Sequence, residues 1–190
     1  MQVTMQMAMS LFNQAFGGIP KDVELVNKVH YYNEALAAAA ITTEYDLFGA
    51  APTDPLDWSL DQAGQMPYPV AVYGMAAVFI GDLLDWKAFM DNAYVQIVVA
   101  DKNYPSYPVD CLPAAGGMNS HLMSDAAAAA YLVEEIRNGV AAAGSLLIFP
   151  PIAIDKGQQF KVKRRTKSGT ITTASTFKIR LYCVEARDVR

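Results

Sequence analysis

Short segments rich in β-branched and aromatic residues recur along this chain, and turn-forming proline, glycine or aspartate bounds them. The clearest are residues 68–80 (YPVAVYGMAAVFI) and 93–101 (AYVQIVVAD), and residues 145–154 (SLLIFPPIAI) form an apolar run bent by two prolines. Residues 35–49 begin with an alanine run and end in strand-forming residues. Such side chains favour strands, whereas proline and glycine end strands or turn the chain. The sequence therefore predicts a mainly β protein.

Two helices are also predicted, but they do not alternate regularly with the strands, as a parallel sheet would require. They cover residues 82–92 and residues 124–139, where the second has a Ser or Asp N-cap and an Asn-Gly stop. A chain of 190 residues suffices for one well-buried core. We predict an all-β fold, an antiparallel jelly-roll β-sandwich with one or two short helices in insertions. The domain would span residues 20–190 and follow an N-terminal arm, residues 1–19.

The arm is uncharged and apolar. Residues 1–19 carry four methionines together with Leu11, Phe12 and Phe16, and the first basic residue is Lys21. A secretory signal would begin with a positively charged region, which this segment lacks. Because so much apolar surface is costly in water, we expect the arm to pack on another chain.

Charge is scarce in this chain and unevenly distributed. Only 18% of the residues are charged, whereas 53% are hydrophobic, which indicates surfaces covered by partners. Residues 156–190 carry a net charge of +8, and the first 155 residues carry −12. This asymmetry favours an anionic partner for the basic end: nucleic acid, an anionic membrane surface or the acidic part of another copy. A solvated basic face is the alternative.

The basic residues alternate with apolar ones in residues 159–165 and 177–184, which predicts two half-buried strands. The intervening TKSGT has turn chemistry, so we expect an antiparallel hairpin. Its buried face would contain Phe160, Val162, Phe177, Ile179 and Leu181. Its open face would be a single basic surface that binds an anionic partner, formed by Lys161, Lys163, Arg165, Lys178 and Arg180.

Signatures of catalysis and of metal binding are absent from the sequence. Cys111 and His121 could be imagined as a nucleophile and its base, but their spacing does not place them in contact. Asp54, Asp57 and Asp61 do not have the spacing of an EF-hand. We therefore expect no enzymatic activity, no metal, no cofactor and no small-molecule substrate.

Residues 93–163 carry a resemblance to a known group of proteins. A K-x-Y-x-x-x-P strand, a P-A-x-G-G loop and a P-I-x-I-x-x-G-Q-x-F-x-V strand pair resemble jelly-roll capsid proteins of bacteriophages. The Ala-rich insertion at 125–143 departs from that pattern. The resemblance implies self-assembly without catalysis, in a virion assembled in the host cytoplasm. The implied partners are copies of the chain and other virion proteins, with possible contact to the genome or an internal membrane.

The predicted function is that of a bacteriophage capsid protein that self-assembles into the virion shell. The alternative is a carbohydrate- or receptor-binding β-sandwich, such as a spike or lectin-like protein, which would need an exposed aromatic platform built on Trp58 with Asp54 and Asp57. A third possibility, a small enzyme, would need Cys111 and His121 in contact.

Overall fold

The computed structural model describes residues 4–41, 43–112, 119–124, 132–137, 146–167 and 169–189. Within them lie two α-helices and ten strands. In chain order these are α1 (Met5–Phe16), β1 (Val23–Leu36), β2 (Glu44–Leu47), β3 (Val70–Ile80), α2 (Leu83–Met90), β4 (Ala93–Val99), β5 (Lys102–Pro108), β6 (Asn119–Ser124), β7 (Leu132–Arg137), β8 (Leu146–Ile154), β9 (Phe160–Thr166) and β10 (Ser175–Asp188).

Eight of these strands form two antiparallel sheets of four strands each. The first sheet has the order β1-β10-β3-β8, and the second has the order β2-β9-β4-β5. β6 and β7 pair separately with each other. The pairing is nested in chain order: β1 pairs with β10, β2 with β9, β3 with β8 and β4 with β5.

One hydrophobic core lies between the two sheets. Alternate residues of β3, β4 and β10 point into it, as the period of two requires, among them Val72, Ile97 and Ile179. Aromatic rings fill its centre, where Phe89 of α2 packs on Phe79 and Phe177. The prediction of an all-β sandwich is thereby confirmed.

A smaller hydrophobic cluster lies on the outer face of the first sheet, where α1 packs. The Thr4 hydroxyl caps this helix by accepting a hydrogen bond from the Met7 N–H at 3.3 Å, and Gly17 ends it in the left-handed conformation (φ 73°). Ala8 and Phe12 are buried against the small and aromatic side chains of β3 and β10: Ala71, Tyr73, Val184 and Ala186.

Several predicted elements are confirmed. Residues 68–80, 93–101 and 145–154 contain β3, β4 and β8, and residues 82–92 contain α2. β1, which is 14 residues long, and the helix in the arm were not predicted.

The helix predicted over residues 124–139 is wrong where the structure describes it. Leu132–Arg137 is β7, which pairs with β6, and the rest of that range beyond Ser124 lies outside the described residues. The segment contains Leu132, Val133 and Ile136, and β-branched residues pack well on a paired strand. Pairing with β6 therefore outweighs the N-cap and stop signals in this segment.

The predicted hairpin of residues 159–165 and 177–184 is also wrong. β9 and β10 are both strands, but they lie in different sheets, each between two other strands. Their connection crosses between the sheets, held by backbone hydrogen bonds from Ile171 N–H to the Ala39 carbonyl and from Ile41 N–H to the Gly169 carbonyl. Separating the strands also avoids placing two rows of cations side by side.

Candidate functional site

The predicted basic surface is divided between the two sheets. The apolar residues of both strands point into the shared core: Phe160, Val162, Phe177, Ile179 and Leu181 are all buried, as predicted. The cations that alternate with them therefore point outward from opposite faces of the sandwich. Lys161, Lys163 and Arg165 lie on the second sheet, whereas Lys178 and Arg180 lie on the first. The prediction of one continuous five-residue face is wrong.

The three cations of β9 form ion pairs with the two carboxylates of the neighbouring strand β2. Lys161 Nζ lies 2.6 Å from Asp46 Oδ2, Lys163 Nζ lies 2.6 Å from Glu44 Oε1, and Arg165 Nε lies 3.0 Å from Glu44 Oε2. The hydrogen bonds from Lys163 and then Arg165 lower the pKa of Glu44. The acidic partner expected for these cations is thus present within the chain.

The cations of β10 have different surroundings. Lys178 lies opposite Asn33 of β1 and Val78 of β3, so neither neighbouring strand places an acid directly beside it. It is half-buried, and it forms no ion pair within the part of the chain that the structure describes. Arg180, which is also half-buried, lies opposite Tyr31 and Ala76. The charge of Lys178 therefore has no acidic partner among the described residues and is available to a partner from outside.

The arm residues lie on the chain's own first sheet. Phe12 is fully buried there and stacks on Phe16 with ring centroids 4.5 Å apart, and Leu11 and Phe16 pack at the edge of the same cluster. We expected a neighbouring chain to bury the apolar side chains of the arm, but Phe12 is buried by the chain's own first sheet. The exposed side of α1 carries Met5, 74% exposed, and Met9, 46% exposed. Contact of the arm with another copy stays a prediction, and these methionines are where it would occur.

A buried ion pair connects the two sheets. Arg164 of β9 donates from Nε and Nη2 to the two oxygens of Glu34 on β1, at 2.8 and 2.6 Å, and from Nη1 to Thr166 Oγ1 at 2.6 Å. Arg164 is 1% exposed and Glu34 is 5% exposed. A bidentate pair of this kind satisfies both charges and fixes the relative position of the strands that carry them.

A second buried polar cluster contains His30 and Glu185. His30 Nε2 lies 2.6 Å from Glu185 Oε1, and Arg187 donates two hydrogen bonds to Glu185 Oε2. Burial raises the pKa of Glu185, but the hydrogen bonds from His30 and Arg187 lower it by more. The pKa of Glu185 therefore lies below its usual value. Because an ionised carboxylate only accepts, Nε2 carries the proton. The other ring nitrogen, Nδ1, lies 3.1 Å from Ser59 Oγ.

The chain of Ser59, His30 and Glu185 resembles the connectivity of a hydrolase triad, but its contacts are structural. Ser59 Oγ accepts a hydrogen bond from the Tyr31 N–H at 2.9 Å, and the Ser59 N–H donates to the Tyr31 carbonyl. His30 is only 1% exposed, and Arg187 neutralises the acid. These bonds hold the loop before Leu60 against the outer edge of β1 at Tyr31 and Tyr32, which covers that part of the edge.

The residues that the lectin-like alternative requires for an aromatic platform make contacts within the same loop. Trp58 is half-buried, packs against the core and bridges to Tyr32. Asp57 accepts a hydrogen bond from the Asn33 amide at 2.9 Å, and Asp54 accepts one from the Leu56 N–H at 2.8 Å. All three side chains therefore stabilise the loop rather than form an open binding surface.

The other chemically reactive candidates gain no support. Cys111 is exposed, and partial burial of its thiol and the neighbouring Asp110 carboxylate raise its pKa, which disfavours the thiolate. The side chain of His121 lies outside the described residues. Within the described ranges, no group of three or more metal-ligating side chains occurs. In the same ranges, no helix is long and apolar enough to cross a membrane.

The connection between β9 and β10 is fixed by one carboxylate of α2. Asp85 accepts hydrogen bonds from the backbone N–H groups of Thr172 and Thr173, at 2.8 and 2.9 Å, and from both hydroxyls. Burial raises the pKa of Asp85, but these hydrogen bonds lower it to below the usual value. The ionised form of Asp85 therefore stabilises this crossing between the sheets.

The sequence contained a signal for the buried pair that the predictions did not use. In FKVKRRT, the alternation that places Phe160 and Val162 inward also places Arg164 inward, so that a buried acid becomes necessary. The partner, Glu34, is 130 residues away, and nothing local identifies it.

Comparison with known proteins adds no family to this description. No protein-family model, no curated protein and no solved structure matches the chain.

Proposed function

We propose that this chain is a jelly-roll subunit that self-assembles into the shell of a bacteriophage virion. The observation that carries the proposal is the nested pairing of the eight sandwich strands. Numbered in chain order without β6 and β7, the first pairs with the eighth, the second with the seventh, the third with the sixth and the fourth with the fifth. A long antiparallel hairpin wrapped into two facing sheets gives this order, which is that of the jelly roll used by viral capsid proteins, lectins and cupins.

The packed interior favours a structural role over the enzymatic use of this architecture. Cupins place their chemistry inside the barrel, whereas here the space between the sheets contains aromatic rings and the pair of Arg164 with Glu34. Arg164 also lies 5.6 Å from the centre of the Phe89 ring. A filled interior leaves the outer surface as the place where this domain would meet partners, which agrees with the role of a shell subunit.

Composition supports assembly as the use of that surface. Low charge and a large hydrophobic fraction accompany exposed apolar side chains in separate places, such as Met5 on α1, Leu56 beside β1 and Ile80 at the end of β3. Exposed carboxylates of the first 155 residues, such as Asp61, Asp91 and Asp101, give a neighbouring copy an acidic surface for Lys178. The resemblance of residues 93–163 to phage capsid proteins points the same way.

The proposal is tested by assembly of the purified full chain, followed by light scattering and electron microscopy. Closed particles of uniform size are expected. A folded chain that stays a monomer, or that forms a small ring of fixed size across a range of salt and protein concentration, would contradict it.

Two variants of α1 sharpen the test. Met5→Gln with Met9→Gln changes only the exposed side of the helix, so it should weaken assembly and leave the free energy of unfolding nearly unchanged. The matched variant Phe12→Ala removes the buried contact and should lower stability by about 3–5 kcal/mol if the helix unfolds with the domain. Equal assembly of the double variant and the parent would remove the arm from the interface.

A further inference from the structure

The two four-stranded sheets have four edge strands, and three of these are poorly suited to pairing with a further strand. β2 spans four residues, and β5 and β8 contain prolines: Pro105, Pro108, Pro150 and Pro151. Short strands and prolines are common means of protecting a sheet edge. β1 is 14 residues long, contains no proline and pairs with β10 without a register shift. The edge of β1 therefore lacks the protection that the other three edges have.

Part of this edge, residues 23–29, is open. The loop covers the edge at Tyr31, whose N–H donates to Ser59 Oγ and whose carbonyl accepts from the Ser59 N–H. Tyr31 thus directs both backbone groups away from β10. Because this direction alternates along a strand, it is shared by every second residue before Tyr31: Val23, Leu25, Asn27 and Val29. None of residues 23–29 is buried, and within the described ranges no second strand pairs with them on this side.

The open segment is self-complementary. Its sequence is VELVNKV, and it ends at Asp22, where a φ of 61° turns the chain away from the strand direction. If two copies pair antiparallel with Val26 at the centre, the facing pairs are Val23 with Val29, Glu24 with Lys28, Leu25 with Asn27 and Val26 with Val26. Residues whose backbone groups point away from β10 then face one another, as antiparallel hydrogen bonding requires. A shift of one residue would place them opposite groups that point toward β10.

The two charges of this segment match only between copies. Glu24 and Lys28 are four residues apart, about 13 Å in an extended strand, so they cannot meet within one chain. On β10, Glu24 lies opposite Arg187, which donates to Glu185, and Lys28 lies opposite Cys183. A lysine alone would protect the edge from a second copy, but the glutamate gives it an acidic partner. Opposite charges that face each other across an antiparallel pair stabilise it, and a two-fold axis makes the contact twice.

We propose that two copies of this chain pair along residues 23–29 of β1, about a two-fold axis through Val26, and so join their first sheets into one continuous antiparallel sheet. This dimer goes beyond the shell proposal, because it can form with or without a closed particle. A pairing of this length buries less area than a standard interface, so its dissociation constant should be on the order of 10 µM.

Sedimentation velocity of the full chain over a dilution series tests the pairing, because it separates monomer, dimer and particle. The parent should show a monomer–dimer equilibrium. Glu24→Lys and Lys28→Glu each place like charges opposite one another, so each should weaken the dimer about tenfold. Asp155→Lys, an equal reversal on an exposed carboxylate between β8 and β9, is the matched control and should leave the dimer unchanged.

Mixing the two single variants separates a lost contact from a folding defect. Lysine then occupies both positions in one chain and glutamate occupies both in the other, so a heterodimer again has opposite charges face to face. The equimolar mixture of Glu24→Lys and Lys28→Glu should therefore dimerise as well as the parent, although each variant alone does not. The double variant Glu24→Lys with Lys28→Glu should also regain the parent's dissociation constant.

Three outcomes would overturn the pairing. One is a parent that stays monomeric up to about 100 µM, ten times the expected dissociation constant. The second is a dimer that neither single reversal weakens, and the third is a mixture that does not dimerise, since either would show that Glu24 and Lys28 do not face each other. Particles are scored in the same runs. A dimer without particles would contradict the shell proposal alone, and particles formed from a chain that never dimerises would contradict the pairing alone.

Discussion

β9 and β10 have similar sequences and different surroundings. Both alternate apolar with basic residues, and both direct their apolar side chains into the same core. β9, however, lies beside β2, whose Glu44 and Asp46 form ion pairs with its outward cations, whereas β10 lies between β1 and β3, which place Asn33 and Val78 beside Lys178. Alternation thus determines which way a side chain points, but the neighbouring strand determines what a charge does.

The two strands differ also on their inward side. β10 directs Phe177, Ile179 and Leu181 inward, whereas β9 directs Arg164 inward after Phe160 and Val162. A charge in this position is tolerated because Glu34 and Thr166 satisfy its donors. The two inward faces therefore stabilise the fold by different means: an ion pair in β9 and apolar packing in β10. Separate substitutions can test each contribution.

The largest effect is expected at the buried charge. Arg164→Met should lower the free energy of unfolding by about 3–5 kcal/mol, because Glu34 would be left buried without its partner. Lys163→Met, the same type of change one residue earlier on the outward side, should cost less than about 1 kcal/mol. Urea denaturation of the two variants measures the difference.

A double variant separates the charge from the packing. Adding Glu34→Gln to Arg164→Met removes the uncompensated carboxylate, so part of the lost stability should return. If Arg164→Met cost no more than Lys163→Met, the inward ion pair would not be a determinant of stability.

The apolar interior of β10 should respond by a different mechanism. Ile179→Ala leaves a cavity in a fully buried position and should cost about 2–5 kcal/mol. Lys178→Ala, its outward neighbour, should change stability by less than about 0.5 kcal/mol. Thermal or urea unfolding compares them; similar costs for both would mean that the inward and outward sides of β10 are wrongly assigned.

The local sequence pattern was sufficient to predict much of the secondary structure. β3, β4 and β8 were recognisable because β-branched residues are concentrated between turn residues, and the buried faces of β9 and β10 followed from their period of two. β1 was missed because His30 and Glu34 occupy inward positions where apolar residues are expected. Its partners, Glu185 and Arg164, are distant in sequence, and only the assembled sheets bring them near.

The strands that pair with β9 and β10 could not be predicted from the sequence for the same reason. Consecutive strands often pair, so β9 and β10 were assigned to a hairpin. The acids of β2 that pair with Lys161 and Lys163 are about 120 residues earlier in the chain. Ala39 and Ile41, whose backbone hydrogen bonds hold the connection between β9 and β10, are also distant from it in sequence. The predicted basic residues were correctly placed on the outside, but the surface they form was not.

An intermediate effect is expected at Asp85, which holds the connection between the two strands. Asp85→Asn should lower the free energy of unfolding at neutral pH by about 1–3 kcal/mol, since the charged acceptor of several hydrogen bonds is lost. Asp91→Asn, on an exposed carboxylate just after α2, is the matched control and should have little effect.

The contribution of Asp85 also depends on pH in a defined direction. Its pKa is lower in the folded protein than in the unfolded chain, so its contribution is present above pH of about 4 and is lost as the pH falls through the folded value. The difference in stability between the parent and Asp85→Asn should therefore shrink in acid. A difference that stays constant from neutral pH into acid would show that ionised Asp85 is not the stabilising form.

The smallest effect on stability, and the clearest test of surface roles, is expected from charge reversal on the two outer faces. Lys178→Glu breaks no ion pair within the described chain, so the free energy of unfolding should change by less than about 0.5 kcal/mol. If Lys178 meets the acidic surface of a neighbouring copy, the same variant should raise the protein concentration needed for particle formation, with the parent's assembly weakening as salt is added.

Lys161→Glu with Lys163→Glu should do the reverse: it places like charges beside Asp46 and Glu44, lowers stability by about 1 kcal/mol and leaves the assembly threshold nearly unchanged. Light scattering across a dilution series, together with urea denaturation of each variant, gives both quantities. If the β9 double variant blocks assembly while Lys178→Glu assembles like the parent, the β9 face with its internal ion pairs is the one that meets a partner, and the contrast drawn between the two strands is wrong.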